Sequence, residues 1–350
     1  MAQTGIQLDK LKERIQTTQV PAELKSKIIT RLEQLGQLRE SPTFLPEFDR
    51  LNKYIDWVVS VPWGKRTEDV LDLNGAKKVL DQNHYDLDEI KERILEYMSV
   101  MKIKQQKGQE EEFMRAPIMC FVGLVGTGKT TIASSIAEAM GRKFARIPFG
   151  GMGDPLDLRG QSRMHYESEP GDVIKALTQV QSMNPVILLD EIDRVTEQGR
   201  SSIMGVLVEL LDPEQNSRFT DHYIDYPVNL SEVMFIATAN NTHHISTAVL
   251  DRLEPIRMPA YSDSEKIAIG KQYMLPKVLE KAGVSAENIE IKDEAWAKVV
   301  RPLGYDAGMR TLERTINSIV RKAARVIVEK GPDQKFVIDE NNVKDYIVNG

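Results

Sequence analysis

"GLVGTGKTT", residues 123–131, sits between the apolar run "PIMCFV" (117–122) and the alternating "TTIASSIAEAM" (130–140). Gly123, Gly128, Lys129 and Thr130 fit the spacing G-x-x-x-x-G-K-[ST]. Each position has a physical reason: glycines let backbone N–H groups turn inward on phosphate oxygens, lysine reaches the β and γ oxygens, and the hydroxyl binds Mg2+. The flanks agree with this, since a buried strand leads in and an amphipathic helix ending at Gly141 leads out. The whole stretch Gly123, Leu124, Val125, Gly126, Thr127, Gly128, Lys129, Thr130 and Thr131 is therefore a candidate phosphate loop.

Outward from the loop, short apolar runs recur: "PIMCFVG" (117–123), "FARIPFG" (144–150), "PVILLDE" (185–191) and "VMFIATAN" (233–240). Longer segments that can hold helices separate most of them, which is the pattern of a parallel sheet covered on both faces. "VILLDEID" delivers Asp190 and Glu191 to a strand's carboxyl end, where open α/β sheets hold ligands. Asp190 suits the metal ion, with Thr130, and Glu191 suits activation of the attacking water. Asn240, ending "MFIATAN", is placed to hold that water. Arg252 in "LDRLEPI" and Arg310 in "DAGMRTLER" are candidates to neutralise transition-state charge, and spacing does not say which of them acts within its own chain.

The rest of the chain bounds the reading. Its 350 residues suffice for two or three domains, and 41% hydrophobic with 28% charged residues is a globular composition. A net charge of −6 gives no global attraction to nucleic acid, and no basic–aromatic interleaving stands out, so nucleic acid is not an expected partner. Cys120 is the only cysteine, so no intrachain disulfide forms. The first residues lack the apolar core of a secretory signal, and no apolar run would span a bilayer; a cytoplasmic location without membrane contact is expected. His222, His243 and His244 lack partners at zinc-ligand spacing, so no transition metal is expected.

Residues 6–60 show helical periodicity punctuated by Pro21, Pro42 and Pro46, and "SVPWGKRTED" (60–69) breaks it as a hinge or linker would. Trp57 and Trp63 flank that break as packing anchors. "DLNGAKKVLDQNHYDLDEIKERILEYMSV" (72–100) predicts two helices separated at "NHYD", and the charged "KQQKGQEEEFMR" (104–115) predicts a surface loop. Beyond Pro259 the chain turns helical again and ends in a strand-or-helix segment, "QKFVIDENNVKDYIV".

Together "GLVGTGKTT", "LLDEID", "ATAN", "LDRLE" and "AGMR" resemble the AAA+ ATPases. More narrowly, "YIDWVVSVPWGKRTEDVLDL", "DQNHYDLDEIKERILEYMSV", "FGGMGDPLDLRG" and "LLDPEQNSRFTDHYIDYPVNLSEVMFIATAN" are similar to the ATPase module of Lon proteases, and the likeness runs from about Leu8 to the end. It implies an α/β P-loop core with a parallel sheet (63–258), a helical arm before it (1–62) and a small helical lid after it (259–350). It further implies ATP and Mg2+ as cofactors and a homo-oligomer, a hexameric ring, acting on unfolded or damaged proteins. By the same resemblance, Asn240 is sensor 1, Arg252 the arginine finger reaching a neighbouring nucleotide, and Arg310 sensor 2, acting in its own chain. His84 and Tyr85 would line the adenine, although ordinary packing suits Tyr85 nearly as well.

The family's β-rich substrate-binding domain would precede the arm, and its Ser/Lys peptidase domain would begin about where "VKDYIVNG" ends. No Ser/Lys dyad can be assigned, so peptide cleavage by this chain alone is not expected. The first pore loop corresponds to "RMHYESEPG" (163–171), with Tyr166 one place late for the family's aromatic; the second corresponds to "GRSSIMGV" (199–206). Tyr166, Ile203 and Met204 are the candidates for gripping substrate, with plain loop roles as the alternative. If nothing is threaded, the alternative function is a nucleotide-controlled assembly module.

Overall fold

A computed structural model describes residues 2–38, 40–107, 117–165, 167–302 and 308–347. Three helices open the chain: α1 (Ala2–Thr17), α2 (Ala22–Gln37) and α3 (Phe44–Ser60). Leu24, Ile28, Leu32 and Leu35 form one buried stripe of α2, at the three- and four-residue spacing of a helix face. Two more helices follow, α4 (Leu73–Asn83) and α5 (Asp88–Gln106), with the Asp72 side chain accepting from the N–H groups of Asn74 and Gly75 to start α4.

The core then alternates: β1 (Ile118–Val122), α6 (Lys129–Ala139), β2 (Phe144–Pro148), α7 (Asp172–Val180), β3 (Val186–Asp190), α8 (Arg200–Leu211), a two-residue hairpin pair β4 (Phe219–Thr220) and β5 (Pro227–Val228), β6 (Met234–Ala239) and β7 (Leu253–Arg257). The main sheet has the order β2-β3-β6-β1-β7, and its pairings are parallel. All residues of β3 and β6 are buried, as central strands covered on both faces require. β7 is a strand that the sequence pattern did not announce, because Pro255 interrupts it; at the sheet edge a missing N–H is tolerated.

The lid consists of α9 (Asp263–Ile269), α10 (Leu275–Ala282), β8 (Ile289–Ile291), α11 (Trp296–Val300), α12 (Arg310–Lys330) and β9 (Phe336–Ile338). Ser262 and Glu265 close a capping box at α9. Leu312, Ile316, Ile319, Val320 and Ala323 of α12 pack around Trp296 in a separate lid core. The terminal segment is both things the sequence left open: β9 pairs in parallel with β8, and Val343–Tyr346 then turns helical.

The arm residues Leu8 to Trp63 share one apolar cluster with Leu158, Val173, Leu177 and Leu207, on one face of the sheet. α4, α5 and α6 cover the other face. The expected linker at 60–69 is instead tied down: buried Asn184 accepts from Thr67 N–H at 2.8 Å and donates to its carbonyl at 2.9 Å, while Met183 N–H donates to the Lys65 carbonyl. Polar pairing with the core therefore fixes a stretch whose composition reads as a loop. The expected loop at 104–115 falls mostly outside the described residues. No described helix is long and apolar enough to cross a membrane.

Candidate nucleotide site

Parallel register sets the site. Val122 of β1 pairs with Ala239 of β6, Ala237 pairs with Leu189 of β3, and Asp190 pairs with Pro148 of β2. Gly123, Asp190, Glu191 and Asn240 consequently leave the sheet at one level, its carboxyl edge, where strand order reverses around β1.

The loop turns sharply at Gly126 (φ +82°) and Gly128 (φ +94°), left-handed conformations that strain any residue with a Cβ. Gly123 packs so closely that a Cβ there would lie 2.7 Å from the Met258 carbonyl oxygen. Thr127 Oγ1 donates to the Leu124 carbonyl, and Thr131 Oγ1 to that of Gly128. Lys129 Nζ donates to the carbonyls of Gly123 (2.6 Å) and Leu124 (2.9 Å) and to Asn240 Oδ1 (3.2 Å). Burial pushes this ammonium below its ordinary pKa, against the opposing pull of Glu191, Asp190 and Asp193.

Asp190 is gripped on both oxygens. Thr238 Oγ1 donates to Oδ1 at 2.5 Å, and Arg146 Nε donates to Oδ2 at 2.7 Å. The same Thr238 hydroxyl accepts the Glu191 N–H at 2.8 Å, which holds Glu191 in the left-handed region at φ +60°. Asp193 is buried and accepts the N–H groups of Asn240 (3.1 Å) and Asn241 (3.3 Å), locking the ends of β3 and β6 together. Thr238, Asp193 and Arg146 were not singled out from sequence. Thr238 was legible only as a polar residue in an otherwise apolar strand, and Asp193 as the second aspartate of "DEID".

Above this edge lies a cleft of about 590 Å³ lined by the phosphate loop, Thr130, Asp190, Glu191, His84, Tyr85 and Arg310 among others. Its size suits a small-molecule ligand. His84 is buried with Nε2 2.9 Å from Ser135 Oγ of α6, and burial, helped by the Lys91 charge, holds its pKa down to about 4. The imidazole is therefore neutral at pH 7 and can exchange hydrogen bonds as an uncharged group. Tyr85 makes an edge contact with Tyr273 of the lid, 6.4 Å between ring centres, while also lining the cleft. Met309 N–H donates to the Gly126 carbonyl at 3.0 Å, and this bond seats Arg310, at the head of α12, beside the phosphate loop of its own chain.

Three described candidates, Ile203, Met204 and Arg252, do not join this group. Ile203 and Met204 are corrected as grip residues: they lie on α8, not on a loop, and their side chains are 0% and 4% exposed. With Leu207 and Leu210 they form the helix face that packs on the core, so an apolar stripe rather than a pore loop explains them. Tyr166 lies outside the described residues. Arg252 sits at the amino end of β7, where its carbonyl accepts the Ile118 N–H, and its guanidinium donates to Asp212 at 2.9 Å.

The residues present fit a magnesium nucleotide. Asn240 Nδ2 is buried with no hydrogen-bond partner among the described residues, a donor that a phosphate oxygen or water would satisfy. Glycines leave the loop open where a Cβ would intrude. Thr130 and Asp190 offer the hydroxyl and carboxylate oxygens that Mg2+ prefers.

Comparison with known proteins agrees with this geometry. The family "ATPase family associated with various cellular activities (AAA)" matches residues 119–259, and "Lon protease AAA+ ATPase lid domain" matches residues 280–336. The chain is 40% identical over 342 residues to a Lon protease of Dictyoglomus thermophilum, covering 98% of this chain and 42% of that protein. It is 41% identical over 341 residues to one of Geobacter metallireducens (97% and 40%) and 38% identical over 343 residues to one of Bacillus thuringiensis (98% and 42%). The chain thus spans about two fifths of the length of these curated relatives. Fold, site and matches define an AAA ATPase. More particularly, the chain is an ATPase module of the Lon-like type, an AAA domain followed by a Lon-type lid.

Proposed function

We propose that this module works in a homo-oligomeric ring, hexameric by resemblance, that hydrolyses ATP to unfold and translocate unfolded or damaged proteins in the cytoplasm. The observation that carries the proposal is the position of Arg252. It lies at the sheet edge opposite its own phosphate loop, held by Asp212, which supports a role at the nucleotide of another copy. Lys129 and the loop N–H groups bind the phosphates, His84 and Tyr85 flank the base, and Arg310 reads the γ-phosphate from the lid. Thr130 and Asp190 would hold Mg2+, which supplies charge neutralisation at the β and γ oxygens when bound. Glu191 takes the proton of the attacking water, Asn240 orients that water, and Arg252 of the adjacent copy neutralises charge in the transition state. Loss of the terminal phosphate then releases Arg310, and the lid (259–350) swings against the core (63–258) and arm (1–62).

The test is ATPase rate against protein concentration, with mass measured in parallel. Turnover per chain that rises with the oligomer supports the shared site; turnover independent of assembly overturns it. A second reading, an assembly module that threads nothing, is favoured by the burial of Ile203 and Met204. A permanently unfolded polypeptide that accelerates hydrolysis supports the motor, and indifference to it supports the assembly module.

A further inference from the structure

Asp212 stands where two helical elements meet. It follows the last residue of α8 and opens the turn Pro213–Asn216, where its Oδ1 accepts the N–H groups of Glu214 (2.9 Å) and Gln215 (3.3 Å). Capping engages Oδ1 alone, and Oδ2 accepts Arg252 Nη2 at 2.9 Å. The other terminal nitrogen of that guanidinium, Nη1, donates to the Ala248 carbonyl at 2.8 Å, one turn back in the chain. Arg252 is thus held at two points by two elements. Each is anchored: α8 buries Leu207, Leu210 and Leu211, and Val249 fixes the short helical turn Thr247–Leu250. The hydrogen bond from Arg252 is also the main cause that holds the Asp212 carboxyl below its ordinary pKa, so the pair is fully charged at neutral pH.

This clamp does not seal the arginine in. The side chains of Arg252 and Asp212 are 29% and 20% exposed. A guanidinium carries several N–H donors in a rigid fork, and those of Arg252 beyond the two bonds above have no acceptor among the described residues. Capping needs only Oδ1, and a partly exposed ion pair adds little stability. What the clamp does supply is direction: a long side chain with many rotamers is confined to one, with unused donors left for an anion.

We propose that Asp212 is a positioning residue that orients Arg252 for the nucleotide of a neighbouring copy, so that the arginine meets the phosphates already ordered. This rests on the shared-site reading above and adds the residue that prepares the arginine. Charge fixed in advance stabilises a transition state without reorganising at the moment of reaction. Anchoring through α8 also makes the arginine move with the core of its own chain rather than with the lid.

Asp212→Asn and Asp212→Ser test this in the full chain, since both keep an oxygen for the cap and neither offers Arg252 a carboxylate. Each is expected to bind ATP with unchanged affinity by calorimetry, to keep its KM, and to lose kcat about ten-fold, the scale of a charged hydrogen bond at a partly exposed site. Each variant is then mixed with Glu191→Gln. An Asp212→Asn chain keeps its own Glu191, and a Glu191→Gln neighbour keeps a seated Arg252. Turnover per Asp212→Asn chain is therefore expected to rise several-fold in mixed rings verified by mass, which a purely local defect would not allow. Unreduced kcat in both variants overturns the positioning role. So does a loss that mixing leaves unchanged while Arg252→Ala, mixed in the same way, recovers. Recovery in neither mixture overturns the shared site itself, a distinct result that removes the proposal with it.

Discussion

Ile118 and Arg252 are joined by a backbone hydrogen bond of 3.0 Å from the Ile118 N–H to the Arg252 carbonyl. This places Arg252 at the amino end of β1, whereas the phosphate loop leaves the carboxyl end, five residues or about 16 Å along the strand. Arg252→Ala is expected to bind ATP normally and lose hydrolysis by about a thousand-fold, the scale of a missing arginine finger. Glu191→Gln should be equally inactive. Mixing the two should restore part of the rate, because an Arg252→Ala site keeps its own Glu191 and borrows the arginine of a neighbour. Mixed rings, verified by mass, that stay inactive would rule out sharing.

Thr238 bridges the Asp190 carboxylate and the Glu191 backbone through one buried hydroxyl. Replacing it by the isosteric valine leaves a buried N–H and a carboxylate oxygen unpaired, at about 1–3 kcal/mol each before relaxation. Thr238→Val should therefore lower kcat about 10- to 100-fold, while Thr238→Ser recovers most of it. Steady-state kinetics beside calorimetric ATP binding separates the two effects. Equal losses in the serine and valine variants would mean that packing, not the hydroxyl, matters.

His84 gives the protein a pH-dependent stability. Its folded pKa of about 4 lies below the ordinary 6.5, so between those values the unfolded chain binds the proton and the folded one does not. Its contribution to stability is thus intact above pH 6.5 and is lost as pH falls toward about 4. The loss between pH 7 and pH 5 should be about 2 kcal/mol. Urea denaturation at the two pH values should show it, and His84→Gln should flatten most of it. A slope unaltered by that substitution would assign the acid sensitivity to other groups.

Gly126 joins loop to lid. Its φ is +82°, and a Cβ there would meet Met309 N at 3.1 Å, Gly308 Cα at 3.3 Å and Arg310 Cγ at 3.4 Å. Gly126→Ala should cost about 1–2 kcal/mol in backbone strain and weaken ATP–Mg2+ binding about tenfold as Arg310 is displaced. Calorimetric titration with and without EDTA reads this, and wild-type affinity would show that the lid contact is dispensable.

The phosphate loop, the carboxylates ending "VILLDEID" and the asparagine ending "MFIATAN" were legible because each follows a run of buried strand residues, and parallel strands bring their carboxyl ends to one level. Sequence pattern also showed the alternation of the core and the helical character of arm and lid. Other features depended on distant partners. Pro255 hid an edge strand, Asn184 turned an apparent linker into bonded backbone, and the stripe of α8 drew Ile203 and Met204 inward. Where the two arginines stand was legible only in the tertiary structure: Arg310 is seated beside the phosphate loop by the bond from Met309 to Gly126, and Arg252 is carried to the far edge by β7. Local chemistry thus specified which groups could bind a phosphate. Where those groups stand relative to one another depended on packing and strand order, because these are long-range and leave no signature at the residues they position.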